Sequence, residues 1–91
     1  MLNRYQINLG SIADKNGNSL LALAVMMQNP QMVTMLLIRG LNPNSKNKDG
    51  NTPLHYAITC KMREITVKLL ANGADEHISN NEGKEPWELQ L

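Results

Sequence analysis

The sequence predicts an all-α chain, a solenoid of stacked helix–turn–helix units joined by β-hairpin-type loops. Three observations predict it. First, glycines recur at one period: Gly17, Gly50 and Gly83 stand 33 residues apart, and so do Gly40 and Gly73. Second, whole segments align at that period. Asn16-Gly17-Asn18-Ser19-Leu20-Leu21-Ala22-Leu23-Ala24 matches Asp49-Gly50-Asn51-Thr52-Pro53-Leu54-His55-Tyr56-Ala57, and Leu36-Leu37-Ile38-Arg39-Gly40-Leu41-Asn42 matches Leu69-Leu70-Ala71-Asn72-Gly73-Ala74-Asp75. Third, apolar residues between the glycines fall at helical spacing, as Leu54, Ala57 and Ile58 do.

The elements follow in order. Residues 1–11 are either the end of an earlier unit or an N-terminal cap. Residues 12–44 form the first unit. Ser19 is an N-cap type at the start of its first helix, Asn29-Pro30 marks the break, and Met32, Leu36 and Leu37 carry the apolar face of its second helix. Residues 45–77 form the second unit. Thr52 caps, Pro53 stands at the first helical position, the helix stops near Cys60-Lys61, and Ile65, Leu69 and Leu70 face the core from the next helix. Gly40 and Gly73 sit just past the second helices, where a C-cap wants positive φ. The polar, Asn-rich stretches that follow suit hairpin-type loops with a tight turn. Residues 78–91 open a third unit through Gly83, Pro86 and Trp87 and have no second helix. The whole chain, 1–91, is one domain.

This pattern resembles the ankyrin repeat. The residues that carry the resemblance are Asp49, Gly50, Thr52-Pro53-Leu54-His55, Ala57, Leu69-Leu70 and Gly73-Ala74-Asp75. The middle unit is a close match. The first is degenerate, with Leu20 in place of the proline and Ala22 in place of the histidine. The resemblance implies that His55 and Thr52 tie the loops and neighbouring repeats together by hydrogen bonds. It also implies a concave partner-binding face made of hairpin tips and first helices.

A single repeat cannot bury its apolar face, and about three are the usual minimum. The first unit is apolar throughout (Leu20, Leu21, Leu23, Val25, Met26, Met27, Met32, Val33, Met35, Leu36 and Leu37). That is more than one-sided stacking consumes. The chain is therefore a piece of a longer array, or self-associates through its open end, or folds residues 1–11 back as a cap.

Composition narrows the function. Nine Lys and Arg against eight Asp and Glu leave a net charge of +1, so no global field holds nucleic acid or an acidic membrane. Aromatic residues make up 3%, too few for a base-stacking platform. The longest apolar run, Leu20 to Met27, is far short of a membrane span. Residues 1–6 hold no apolar stretch of the kind a secretory signal needs. A single cysteine forms no internal disulfide and fits a reducing compartment, so the expected location is the cytoplasm.

Chemistry-bearing patterns are absent from the sequence. No G-x-S-x-G, H-E-x-x-H or phosphate-loop motif occurs. Cys60 and His55, five residues apart on one helix, fall about 140° apart around its axis. His55, His77 and Cys60 never take a metal-ligand spacing. Ser45-x-Asn47-x-Asp49-Gly50 looks like the front of a calcium loop, yet the position that needs Glu holds Tyr56, so it reads as a turn. No catalysis, metal or cofactor is expected. Asp75 reads as a turn residue.

The expected function is therefore protein binding on the concave face. The candidate contacts are Lys15, Asn16 and Asn18 in the first loop, and Lys46, Lys48, Asp49 and Asn51 in the second. Met26, Met27, Thr59 and Cys60 are the candidates on the first helices. Lys15, Lys46 and Lys48 favour an acidic stretch on a partner, and the methionines suit adaptable apolar contacts. The third-loop tips are Ser79, Asn81, Glu82 and Lys84, at an end where acidic residues dominate. Trp87 either plugs the end of the second repeat or offers an aromatic anchor. The partner is a protein, with no nucleic acid and no membrane. The alternative is a regulatory or oligomerising segment of a larger, enzymatic or multidomain protein. In that case the exposed repeat ends meet a second copy or an intramolecular neighbour.

Overall fold

The structure, a computed structural model, describes residues 8–89. Among them are four α-helices: α1 (Leu20–Met26), α2 (Pro30–Ile38), α3 (Pro53–Thr59) and α4 (Arg63–Ala71). Short 3-10 turns at Leu9–Ser11 and Pro86–Leu89 flank them. The second helix pair repeats the first at the 33-residue shift with matching bounds.

Local chemistry explains the bounds. Ser19 Oγ accepts from the Ala22 amide at 3.1 Å, and Asn29 Oδ1 accepts from the Met32 amide at 3.1 Å, so α1 and α2 each begin on a side-chain cap. Thr52 and His55 form a reciprocal capping box at α3, with Pro53 at the first helical position. All four helices end the same way: the chain turns left-handed and two amides reach back to the last-turn carbonyls. In α2 and α4 the left-handed residue is Gly40 or Gly73. In α1 and α3 it is Gln28 (φ 55°) or Lys61 (φ 57°). The break expected at Asn29-Pro30 and past Cys60-Lys61 is thus a full helix terminus.

Within each repeat the two helices lie antiparallel. α1 packs on α2 and on α3, α3 packs on α4, and α2 packs on α4. The shared core is Leu21, Ala24, Val25, Val33, Leu36, Leu37, Leu54, Ala57, Ile58, Ile65 and Leu69, with Leu41 closing it from the loop. Ala24 and Ala57, at one register position on the first helices, are both buried in this core. The last 3-10 turn packs on α3, where a third first helix begins in the repeat register.

The structure adds detail at two places. The loops turn as hairpins, as expected, and form no strands among the described residues; the one ladder contact there is an isolated bridge, Ala13 to Ser19. Trp87 is only partly covered. It occupies the register position of the fully buried Leu54, yet it is 44% exposed, because no helix lies beyond it among the described residues. Pro86 is the buried residue of that turn, and the indole N–H donates to Glu76 Oε1 at 2.8 Å. Of the calls on residues 1–11, those on 1–7 lie outside the described residues. Asn8 caps the Leu9–Ser11 turn, and Leu9 packs on the core.

Candidate functional site

The candidate surface is built from three loops laid edge to edge. Each loop is closed by one side chain at the same register position. Asp14 Oδ1 accepts the Asn16 and Asn18 amides, Asn47 Oδ1 accepts those of Asp49 and Asn51, and Asn80 Oδ1 accepts those of Glu82 and Lys84, all within 2.9–3.0 Å. The calcium-like spacing around Asn47 is this turn: its oxygen is spent on backbone amides.

The loops are then tied to one another. Lys48 N–H donates to Asn16 O at 3.0 Å and Asn81 N–H to Asp49 O at 2.9 Å. Below the tips runs an amide ladder: Asn47 Nδ2 donates to Asn18 Oδ1, and Asn80 Nδ2 donates to Asn51 Oδ1, each at 2.9 Å. Further back, Asn44 Nδ2 donates to Gly73 O and Asn44 Oδ1 accepts from the Asp75 amide. Asp75 in turn accepts the His77 amide, the turn role expected of it. His55 adds the last tie. Its Nδ1 accepts from the Thr52 amide at 2.9 Å, which requires the Nε2–H tautomer, and Nε2 then donates to Lys84 O at 3.0 Å. Both ring nitrogens are occupied and the residue is buried, so His55 holds loops rather than substrate. No buried side-chain nitrogen or oxygen among the described residues lacks a partner.

Nine of the twelve candidate residues are exposed, Lys15, Asn16, Lys46, Lys48, Asp49, Met27, Thr59, Cys60 and Trp87, and Met26 is half-buried. Asn51 is half-buried and holds Asn80. Asn18 is a correction. It is 5% exposed and gives its amide nitrogen to Asp14 and its oxygen to Asn47 and Tyr56, so nothing of it is left for a partner. Its amide can satisfy two neighbouring loops at once, and that closes it under the tips.

The sequence reading missed Tyr56. Its hydroxyl accepts from Asn47 Nδ2 at 2.7 Å, and its ring lines a groove of about 250 Å³ with Asn51, His55, Thr59, Asn80, Glu82 and Leu89. Leu23, Tyr56 and Leu89 stand at one register position, and that 33-residue column was the available signal.

Among the described residues three ionisable groups are perturbed. The Asn18 side-chain amide and the loop amides hold the Asp14 carboxyl below its usual range. Burial pushes the Tyr56 hydroxyl up, against the bond from Asn47. Glu85, 3.1 Å from His77 Nδ1, raises His77. Lys15, Lys46 and Lys48 pair with no carboxylate among the described residues. Among those residues no three His, Cys, Asp or Glu side chains gather at metal-binding distance. No helix described is long and apolar enough to cross a membrane.

A family model, ankyrin repeats in three copies, matches residues 1–86. The chain belongs to the ankyrin-repeat family. No curated protein matches it. Among solved structures it is similar to the ankyrin repeat domain of Bcl-3, described as a unique member of the IkappaB protein family. The identity is 27% and the TM-score 0.89, over 93% of this chain and 37% of that one. This ankyrin chain thus spans just over a third of the length of that relative. Ankyrin repeats are in general protein–protein interaction modules without catalysis of their own.

Proposed function

We propose that this ankyrin chain binds a protein partner on the face made by its loop tips and first helices. The observation that supports this best is the division of labour within the loops. Backbone groups and the inner asparagines are consumed in stacking, while Lys15, Asn16, Lys46, Lys48 and Asp49 project from a frame that is already ordered. A partner pays little to order such a surface. Lys15 and Lys48 stand at one register position on adjacent loops, with Lys46 beside them, and favour an acidic segment. Met27, 75% exposed, and the groove beside Tyr56 supply apolar contact at the same face. The home of the interaction is the cytoplasm.

The test compares the wild-type chain with Lys15→Glu/Lys48→Glu and with Met27→Ser, after circular dichroism has shown that each folds. Partners retained from lysate of the source cell are identified by mass spectrometry. Loss of one protein in both variants supports the reading, and equal retention by all three rejects this face.

A second reading, an oligomerising or regulatory segment of a larger protein, is favoured by the apolar side chains that α2 leaves uncovered. Ile38 is 78% exposed, and Met32 and Met35 are 38% and 40% exposed. Light-scattering mass against concentration separates the two: a constant monomer mass removes self-association.

A further inference from the structure

Two Asn-Gly pairs occur in the chain, Asn16-Gly17 and Asn72-Gly73. A glycine after asparagine leaves the next backbone nitrogen free of side-chain obstruction, so both sequences suit imide formation. The structure treats them differently. Asn72 closes α4: its Nδ2 donates to Lys68 O at 2.8 Å, which draws the side-chain amide back along the helix and away from the Gly73 nitrogen. The Gly73 nitrogen itself bonds Leu70 O at 3.3 Å, and freeing it also undoes the terminus of α4, where Ala74 N–H bonds Leu69 O next to the fully buried Leu69 side chain. Gly73 is further held by Asn44 through its carbonyl. Both asparagines are exposed, but the Asn16 side chain makes no hydrogen bond to another described residue. It is restrained only through the main chain of Asn16 and Gly17: Asn16 N–H donates to the Asp14 side chain at Oδ1, Gly17 N–H to Asp14 O at 3.0 Å, and Lys48 N–H to Asn16 O at 3.0 Å. These belong to a solvent-exposed tip, and local opening is cheapest where backbone bonds are exposed and few apolar contacts break.

We propose that Asn16 is a site of spontaneous modification, an asparagine that converts to isoaspartate and aspartate in the folded protein while Asn72 is protected. The Gly17 backbone nitrogen gives its proton to solvent base and bonds to Asn16 Cγ. The Cγ–Nδ2 bond breaks and ammonia leaves, forming a five-membered imide. Water then opens either imide carbonyl, leaving an aspartyl or an isoaspartyl residue.

The position of Asn16 gives the change consequences. Isoaspartate inserts a methylene into the main chain at the residue whose carbonyl accepts the Lys48 amide, so the tie between the first and second loops is lost. Either product also places a new carboxylate beside Lys15, in the column that already holds Asp49 and Glu82. The tip that was basic becomes mixed.

The test is to age the full chain at mildly alkaline pH and body temperature and follow both sites by peptide mapping with mass spectrometry. Linear peptides spanning residues 12–22 and 68–78 report the unstructured rates, and isoaspartyl methyltransferase labelling reports the isomer. The expected result is that the peptides convert at similar rates, while in the folded chain Asn16 converts at least severalfold faster than Asn72. Asn16→Gln, which would need a six-membered imide, should remove the fast site and leave the slow one. In the aged protein the Lys48 amide should exchange with solvent severalfold faster. The proposal is overturned if Asn72 converts as fast as Asn16. It is equally overturned if Asn16 stays intact over a period in which its peptide is consumed, or if the aged form leaves Lys48 exchange unchanged.

Discussion

Lys61→Gly should stabilise the protein, although it deletes a charged side chain from a helix end. Lys61 sits at φ 57° after α3, where the Lys61 amide bonds Ile58 O at 3.0 Å and the Met62 amide bonds Ala57 O at 2.8 Å. The conformation is imposed by those two bonds and cannot relax without losing them. A side chain in that region costs about 1–2 kcal/mol. Glycine removes the cost but loses about 0.5–1 kcal/mol more in backbone freedom on folding. Lys61 is exposed and pairs with no carboxylate among the described residues, so losing its side chain subtracts little. The net gain is about 0.5–1 kcal/mol. In a domain of this size that raises the melting midpoint by roughly 2–8 °C. Urea unfolding followed by far-UV circular dichroism measures it, with the slope expected to stay unchanged. Lys61→Ala is the control, since it removes the same side chain but keeps the strained backbone, and it should be close to neutral. Gln28→Gly repeats the test one unit earlier, at φ 55°. If Lys61→Gly is no more stable than Lys61→Ala, the strain argument is wrong.

Other perturbations separate the parts of the stack. A Cβ on Gly50 (φ 78°) meets Asn81 Oδ1 at 2.6 Å and the Asn81 backbone nitrogen at 2.8 Å, whereas one on Gly83 (φ 75°) meets nothing. Gly50→Ala should therefore cost more than about 2 kcal/mol and Gly83→Ala about 1 kcal/mol in the same urea assay, a difference that measures loop stacking. His55→Ala leaves the Thr52 amide and the Lys84 carbonyl without their partner and should cost about 3 kcal/mol, with faster exchange of the third-loop amides. The Asp14 carboxyl is lowered in the folded state, so its contribution is present above its unfolded value near 3.8 and is lost as pH falls through the lower folded value. Asp14→Asn should flatten the acid limb of a stability–pH curve. His77 is raised, so its contribution is present below about 6.5 and is lost as pH climbs through the higher folded value. His77→Gln should remove that decline, read as a change in thermal midpoint across neutral pH.

Much of the fold was legible because its signals are local and repeated. Ser19, Thr52-Pro53 and Asn29-Pro30 mark helix starts by their own hydrogen-bonding and φ preferences, and Gly40 and Gly73 mark ends by theirs. Gln28 and Lys61 were legible only as the vicinity of a break. Nothing in a glutamine or a lysine announces a left-handed backbone, which two back-reaching amides impose. The surface was less legible. Lys15, Lys46 and Lys48 are exposed tips, as charged loop residues usually are. Asn18 has the same composition and the same loop as Asn16, yet one is buried and the other free. That difference depends on which side of the turn faces the next loop.

The 33-residue period and the helix bounds are properties of the sequence alone, because the signals that set them are a few residues long and repeat in register. The roles of the stacked loop asparagines Asn18, Asn47, Asn51 and Asn80 were decided by the tertiary structure. An amide side chain can close its own turn, bridge to a neighbour or stand in solvent at nearly equal local cost. Only the approach of the next loop, about thirty residues away in the chain, supplies the second partner that selects among them. The same holds for Trp87. Its register position is that of a core residue, and burial there requires a neighbouring helix that no local preference can provide.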